Sequence, residues 1–364
     1  MGTDSIIYIR TDGNSKIATG HFVRCLCIAQ ALETLGKQVC FLVSDYDSAD
    51  LLRDLSLSIF QGYSFSFEVK ILDTAVYDNL EKEIEELKCL TSTNIPRNPS
   101  VARPVILIDS YYVTPVYLNA LHSFAKVAYM DDLRTFDYPV DLIINYDVIP
   151  SSKITEYNLA YTNADITLLG AQYTPLRRQF QNQEIILKDT IQNILITTGG
   201  SDPCCFTETA VSYFLSQNFS ATLHIVVGKL FKNTKTLEEL AAENPAIHLH
   251  YNVSDMAALM KQCDYAISAA GTTLYELCAL GIPAISVTMA DNQMIMAETF
   301  AETGAVPYAG DLRETMPKEI LSTIHTHLCD LSADSSKRQK QHELMRQLTD
   351  GNGAIKIAKA LCHL

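Results

Sequence analysis

A histidine stands at the start of a predicted helix in the stretch Thr19-Gly20-His21-Phe22-Val23-Arg24. An imidazole placed there can accept or donate a proton near neutral pH. An isolated His at a helix start more often caps the helix or faces solvent. Here Gly20 lets another group approach the backbone closely, and Arg10, Asp12 and Arg24 crowd the same strand exit. Asp12, two residues past the first strand, is suited to hold the ring's second nitrogen, which makes His21 and Asp12 the candidate catalytic pair. A second group is built for anions. Gly199-Gly200-Ser201 lies between an apolar run and a helix-like run, and Ala269-Ala270-Gly271-Thr272-Thr273 opens a helix carrying Glu276. Backbone N–H groups at such helix starts attract phosphate oxygens. An ordinary βα turn is the plain alternative for either loop. Glu276 has apolar neighbours in Leu277, Ala279 and Leu280, so it needs a partner, and the two hydroxyls of a ribose would serve. Asp291 reads as an N-cap. Asn292 and Gln293 beside it have amides that can read the hydroxyl or acetamido groups of a sugar.

The elements that must position these residues alternate. Ile6 to Arg10 is a short apolar, β-rich run. Phe22, Cys25, Leu26, Ala29, Leu32 and Leu35 then recur at helical spacing, and Val39 to Val43 follows as a second apolar run. This β–loop–α–β order implies a parallel sheet, which binds ligands at the C-terminal ends of its strands. Further strands are expected at Val105 to Ile108, Val127 to Met130 and Leu142 to Ile144. The pattern restarts with Ile194 to Thr198, Leu223 to Val227, Ile247 to Leu249, Tyr265 to Ser268 and Ala284 to Val287. The stretch from Asn94 to Pro104, rich in Pro, Ser and Asn, reads as a loop, and Glu81 to Lys88 as a solvated helix face. Residues 1–180 are expected to form one Rossmann-like domain and residues 191–350 a second. The segment 351–364 is expected to be a helix that can cross back to the first. The fold class is α/β, with two Rossmann-like domains facing a cleft.

Composition sets the outer limits. A length of 364 residues suits two cores better than one. The formal net charge of −14 argues against a nucleic-acid surface. No apolar run approaches the ~20 residues of a membrane span. The polar Met1 to Ser5 start does not resemble a signal peptide, so a cytoplasmic location without membrane insertion is expected. The 10 cysteines include no C-x-x-C spacing, and most lie in apolar runs, so they read as structural thiols. His248-x-His250 and His325-x-His327 each lack a third ligand nearby in sequence. No metal and no cofactor are expected.

Taken in order, the motifs resemble one family. They are Arg10-Thr11-Asp12, Ile17 to Arg24, Asp109-Ser110-Tyr111, Asp131-Asp132-Leu133, Leu169 to Arg177, Gly199 to Asp202, Ala270 to Glu276 and Asp291-Asn292-Gln293. Together they look like the UDP-sugar hydrolases of the pseudaminic acid pathway, and they span nearly the whole chain. Those enzymes cleave UDP-2,4-diacetamido-2,4,6-trideoxy-β-L-altropyranose to UDP and free sugar. They have the glycosyltransferase-B (GT-B) fold and are similar to spore-coat polysaccharide proteins and MurG-like transferases. The resemblance implies that His21 is a general base. It puts Gly199, Gly200, Ser201, Gly271, Thr272, Thr273 and Glu276 on UDP, with Glu276 at the ribose. The remaining substrate contacts are expected from Arg10, Gly20, Arg24, Tyr111, Asp132, Tyr173, Arg177, Asn292 and Gln293. The chain departs from the pattern at Ala18, where the family often has Gly, and at Ser110, where it often has His. It also carries an insertion around Leu90 to Arg103.

The expected reaction is metal-independent hydrolysis at the anomeric carbon, with water activated by His21 and UDP leaving toward the amide-lined loops. Asp131-Asp132 reads as one cap and one functional carboxylate. Two alternatives stand beside hydrolysis. One is a UDP-sugar-dependent glycosyltransferase of the same fold, acting in surface polysaccharide synthesis. The other is a catalytically silent nucleotide-sugar-binding protein, for which the imidazole would be superfluous. Oligomeric state is not legible.

Overall fold

The computed structural model describes residues 6–14, 19–60, 66–92, 103–217, 220–232 and 234–364. The expected loop at 94–104 and the insertion near residue 90 thus lie largely outside the described residues, as do Ile17 and Ala18. The chain divides into two compact units, residues 1–177 with 352–364, and residues 178–351.

In the first unit, β1 (Ile6–Thr11), α1 (Gly20–Thr34), β2 (Gln38–Val43), α2 (Tyr46–Ile59) and β3 (Glu68–Ile71) come first. They are followed by α3 (Ile84–Ser92), β4 (Val105–Asp109), α4 (Pro115–His122), β5 (Lys126–Met130), β6 (Leu142–Asn145), α5 (Ile154–Leu159) and β7 (Ile166–Leu169). The seven strands form one sheet in the order β3-β2-β1-β4-β5-β6-β7, and every pairing is parallel. Apolar side chains pack on both faces. Ile7 and Ile9 lie with Phe22, Leu26 and Leu32 of α1, and Tyr8 lies with Ile106, Ile108 and Tyr117. Burial on both faces is why the central strands read as near-continuous apolar runs. The edge strands β3 and β7 are short and partly polar, and the sequence gives no clear sign of either.

The second unit holds β8 (Asn193–Thr197), α6 (Phe206–Ser216), β9 (Thr222–Val227), α7 (Thr234–Glu243), β10 (Ile247–Tyr251), α8 (Met256–Met260) and β11 (Tyr265–Ala269). It continues through α9 (Thr272–Leu280), β12 (Ala284–Thr288), α10 (Asp291–Glu302), β13 (Tyr308–Asp311), α11 (Pro317–Ala333) and α12 (Ser335–Leu348). Its sheet runs β10-β9-β8-β11-β12-β13, again all parallel.

The last helix, α13 (Gly353–Cys362), belongs to the first unit. Its Ile357, Ala358 and Leu361 join the core beside Phe22 and Leu26 of α1. Gly353 sits so close to the backbone of Tyr173 and Thr174 that any Cβ there would collide with it. Among the described residues, no helix is long and apolar enough to cross a membrane.

Candidate functional site

The site in the first unit is built where the strand order reverses. From β1 the chain moves outward to β2 and β3, and from β4 it moves outward the other way. Such a switch point leaves a crevice at the C-terminal ends of the central strands. Thr11 at the end of β1 pairs with Asp109 at the end of β4. The loop after β1 then brings in α1, whose residues 21, 24 and 25 share one face. His21 Nδ1 lies 2.6 Å from Asp109 Oδ1. Arg24 reaches the same carboxylate through Nε at 2.6 Å and Nη2 at 2.5 Å, and Cys25 Sγ approaches it at 3.3 Å. Burial alone would raise the Asp109 carboxyl. Arg24 and then His21 outweigh that and hold it far below the usual carboxylate range.

This fixes the tautomer of His21. An ionised Asp109 only accepts, so Nδ1 carries the proton and donates it. Arg24 Nη2 stands 3.0 Å from Nδ1, but both are donors, and their proximity reflects a shared acceptor. Among the described residues Nε2 has no hydrogen-bond partner, so a neutral ring presents a lone pair there. Its surroundings are ordered as well. Arg24 Nη1 donates to Asp132 at 2.7 Å and to the Tyr146 hydroxyl at 2.5 Å. The Tyr111 hydroxyl donates to Asp132 at 3.2 Å, and its ring meets His21 edge-on at 4.6 Å. Burial, then Asp132, pushes the Tyr111 phenol up to about 12. Tyr111 remains 49% exposed, while His21 is 6% exposed.

Two sequence expectations change here. Asp12 does not touch His21. Its Oδ2 accepts from Arg10 at 2.5 Å, and its Oδ1 accepts from the Ser44 amide and hydroxyl at 2.7 and 2.9 Å. Arg10, expected at the substrate, lies in the interior. It is fully buried, and its Nε donates to Glu83 at 2.8 Å. Glu83 also accepts from the Tyr117 hydroxyl at 2.7 Å, so part of the acidic stretch expected on a solvated face is interior. The paired aspartates divide their work. Asp131 is buried and accepts from the amides of Leu133 and Arg134 and the hydroxyls of Tyr138 and Tyr161, which leaves Asp132 toward Arg24 and Tyr111. Gly20 is exposed with open space around it. Tyr173 packs half-buried against the core of this unit, and Arg177 is half-buried at its end.

In the second unit, Gly199-Gly200-Ser201 and Gly271-Thr272-Thr273 follow β8 and β11, the neighbours at that sheet's own switch point, where Thr197 pairs with Ser268. The two loops differ. The helix after the first begins only at Phe206, and its leading amides are already taken. Asp202 accepts from Phe206 N at 2.9 Å and Thr207 N at 2.7 Å. The expected anion-binding helix end is therefore closed by a carboxylate. α9 has no side-chain cap, so its first amides stay open at Gly271 to Thr273. Glu276 is 8% exposed on that helix. On α10, Asn292 is exposed, while Gln293 accepts from Met289 N at 2.8 Å and Asp291 pairs with Arg313 at 2.5 Å.

β9 brings His224 beside His248 and His250 of β10, the neighbour that sequence could not supply. Asn193 donates to Asp264 and therefore turns its oxygen to His224 Nε2 at 3.2 Å. His224 Nδ1 in turn faces His250 Nε2 at 3.1 Å. This is a chain of hydrogen bonds. Among the described residues, no three His, Cys, Asp or Glu side chains are grouped to hold a metal. All ten cysteines are free thiols.

The two parallel-sheet units define a GT-B glycosyltransferase-like fold. Over 99% of this chain and 100% of the other, it superposes on MurG of Acinetobacter baumannii with a TM-score of 0.65 at 17% identity. Residues 193–349 match the glycosyltransferase family 28 C-terminal domain. The spore coat polysaccharide biosynthesis protein SpsG of Bacillus subtilis (strain 168) is 30% identical over 199 residues, which cover 54% of this chain and 58% of that protein. A Helicobacter pylori protein, the pseudaminic acid cytidylyltransferase and UDP-2,4-diacetamido-2,4,6-trideoxy-beta-L-altropyranose hydrolase, is 31% identical over 140 residues. That match covers 37% of this chain and 24% of the Helicobacter protein.

Proposed function

We propose that this protein acts on a nucleotide sugar, breaking the bond between the diphosphate and the anomeric carbon. The observation that carries the reading is His21, oriented by Asp109 through Nδ1 and with no hydrogen-bond partner at Nε2 among the described residues. Nε2 takes the proton of an oxygen nucleophile as that oxygen bonds to the anomeric carbon. The carbon–oxygen bond to the diphosphate breaks, and the nucleoside diphosphate leaves with the bonding electrons. Open amides at the start of α9 suit the leaving polyanion, and Glu276 suits the ribose. Attack opposite the leaving group inverts the anomeric centre. The name of the Helicobacter protein supports a UDP-sugar substrate, and the names of the family 28 domain and SpsG support carbohydrate chemistry.

Two nucleophiles compete. Water gives UDP and a free sugar, the reading favoured by the motif set and by the hydrolase name of the Helicobacter relative. A hydroxyl of a second carbohydrate gives transfer, and the family 28 match supports this more widely. That match covers residues 193–349, the half that would hold the nucleotide, whereas the choice of nucleophile belongs with His21. UDP release from a panel of UDP-sugars, including the diacetamido-trideoxy-altropyranose, separates the cases when run in EDTA with and without carbohydrate acceptors. Release without acceptor supports hydrolysis, and release only with acceptor supports transfer. Tight UDP-sugar binding with no release under either condition would leave a binding protein.

A further inference from the structure

The nucleotide loop of the second unit has a charge problem. Asp202 occupies the leading amides of α6, so a carboxylate lies where a diphosphate would otherwise meet a helix end. A polyanion beside it needs a nearby cation. We infer that Lys229 is that cation, a phosphate-binding residue for the diphosphate of a nucleoside diphosphate. The inference rests on the nucleotide-sugar reading above.

The backbone carries the argument. β9 ends at Val227, and the turn from Gly228 to Phe231 closes through Phe231 N and Gly228 O at 3.1 Å. Leu230 N donates to Gly200 O at 2.9 Å. Gly228 lies against the carbonyls of Gly199 and Gly200 with no room for a Cβ, so only glycine lets these two loops meet. Lys229 is thus held between two residues fastened to the Gly199-Gly200 loop, at the same C-terminal sheet edge. It is exposed, and among the described residues its ammonium has no ion-pair partner. Thr198, at the root of the same loop, is 5% exposed, and its hydroxyl has no partner among the described residues. A buried hydroxyl left unpaired is costly, and a phosphate oxygen is a suitable acceptor for it.

The test is calorimetric titration of the full chain with UDP and with uridine, using wild type, Lys229→Gln, Lys229→Arg and Lys232→Gln. Lys229→Gln is expected to weaken UDP about 10-fold or more, the usual worth of a charge-assisted phosphate contact, and to leave uridine unchanged. Lys229→Arg should restore most of the affinity. Lys232, exposed on the same loop, serves as the control for general charge and should matter little. Equal UDP affinity in wild type and Lys229→Gln overturns the assignment while leaving the nucleotide reading intact. So does a loss that extends to uridine, or an equal loss in Lys232→Gln. No UDP binding by wild type overturns the nucleotide reading itself, and this inference with it.

Discussion

At the scale of single residues, the proposal turns on which carboxylate serves His21. His21→Ala is expected to lower kcat by roughly 10²–10⁴-fold, the usual worth of a general base, with UDP affinity nearly unchanged. Asp109→Asn should lower kcat by at least ~10-fold, because a neutral amide can turn its N–H toward Nδ1 and no longer fixes the tautomer. Asp12→Asn is the contrasting variant. It removes a partner of buried Arg10, which still has Glu83, so it should cost on the order of 1–3 kcal/mol of stability and leave kcat within about 3-fold. Steady-state kinetics and denaturant melts on the same preparations check all three. Turnover insensitive to Asp109→Asn but abolished by Asp12→Asn in a folded protein would reverse the assignment. The imidazole was legible in the sequence because Gly20, His21 and Arg24 lie within one short stretch. Its true partner was not, because Asp109 is 88 residues away and arrives only through the pairing of β1 with β4. Asp12 was the plausible near neighbour, and proximity in sequence misled.

At the scale of elements, the apolar central strands could be read directly, while β3, β7 and β13 could not. Edge strands are buried less and alternate less clearly, so composition alone does not separate them from loops. The helix after Gly199-Gly200-Ser201 starts at Phe206, where its apolar run begins, and Asp202 accepts from its first amides. The strand pair β9–β10 carries a pH prediction. Burial, then His250 and His248, lowers the pKa of His224 to about 4. Between its ordinary value near 6.5 and that lower value, the unfolded chain binds more protons than the folded one. Stability should therefore fall as pH drops through this window. From pH 7 to pH 5 the loss attributable to His224 is ~2 kcal/mol. Urea melts at those two pH values should show it, and His224→Leu should flatten the difference. An unchanged slope in that variant would mean the histidine chain does not govern this range.

At the scale of the molecule, the units are joined twice, at residues 177–178 and again at 351–352. Deleting residues 352–364 strips Ile357 and Leu361 from the α1 face, at ~1.5–3 kcal/mol for each large apolar side chain. That is comparable with the whole stability of many domains. Calorimetry of the shortened chain should show one transition lowered or lost and the other kept. UDP should still raise the transition that is kept, by mass action. Failure of UDP to shift it would argue against nucleotide binding by residues 178–351 alone. The placement of α13 also bears on synthesis. A ribosome makes all of residues 178–351 after α1 and before its covering helix. The apolar face of α1 must therefore wait, uncovered, through translation of an entire second unit. Nascent chains of this protein should engage chaperones that hold apolar surface for longer than chains whose first domain closes on itself. Burial of that face would then await the synthesis of α13.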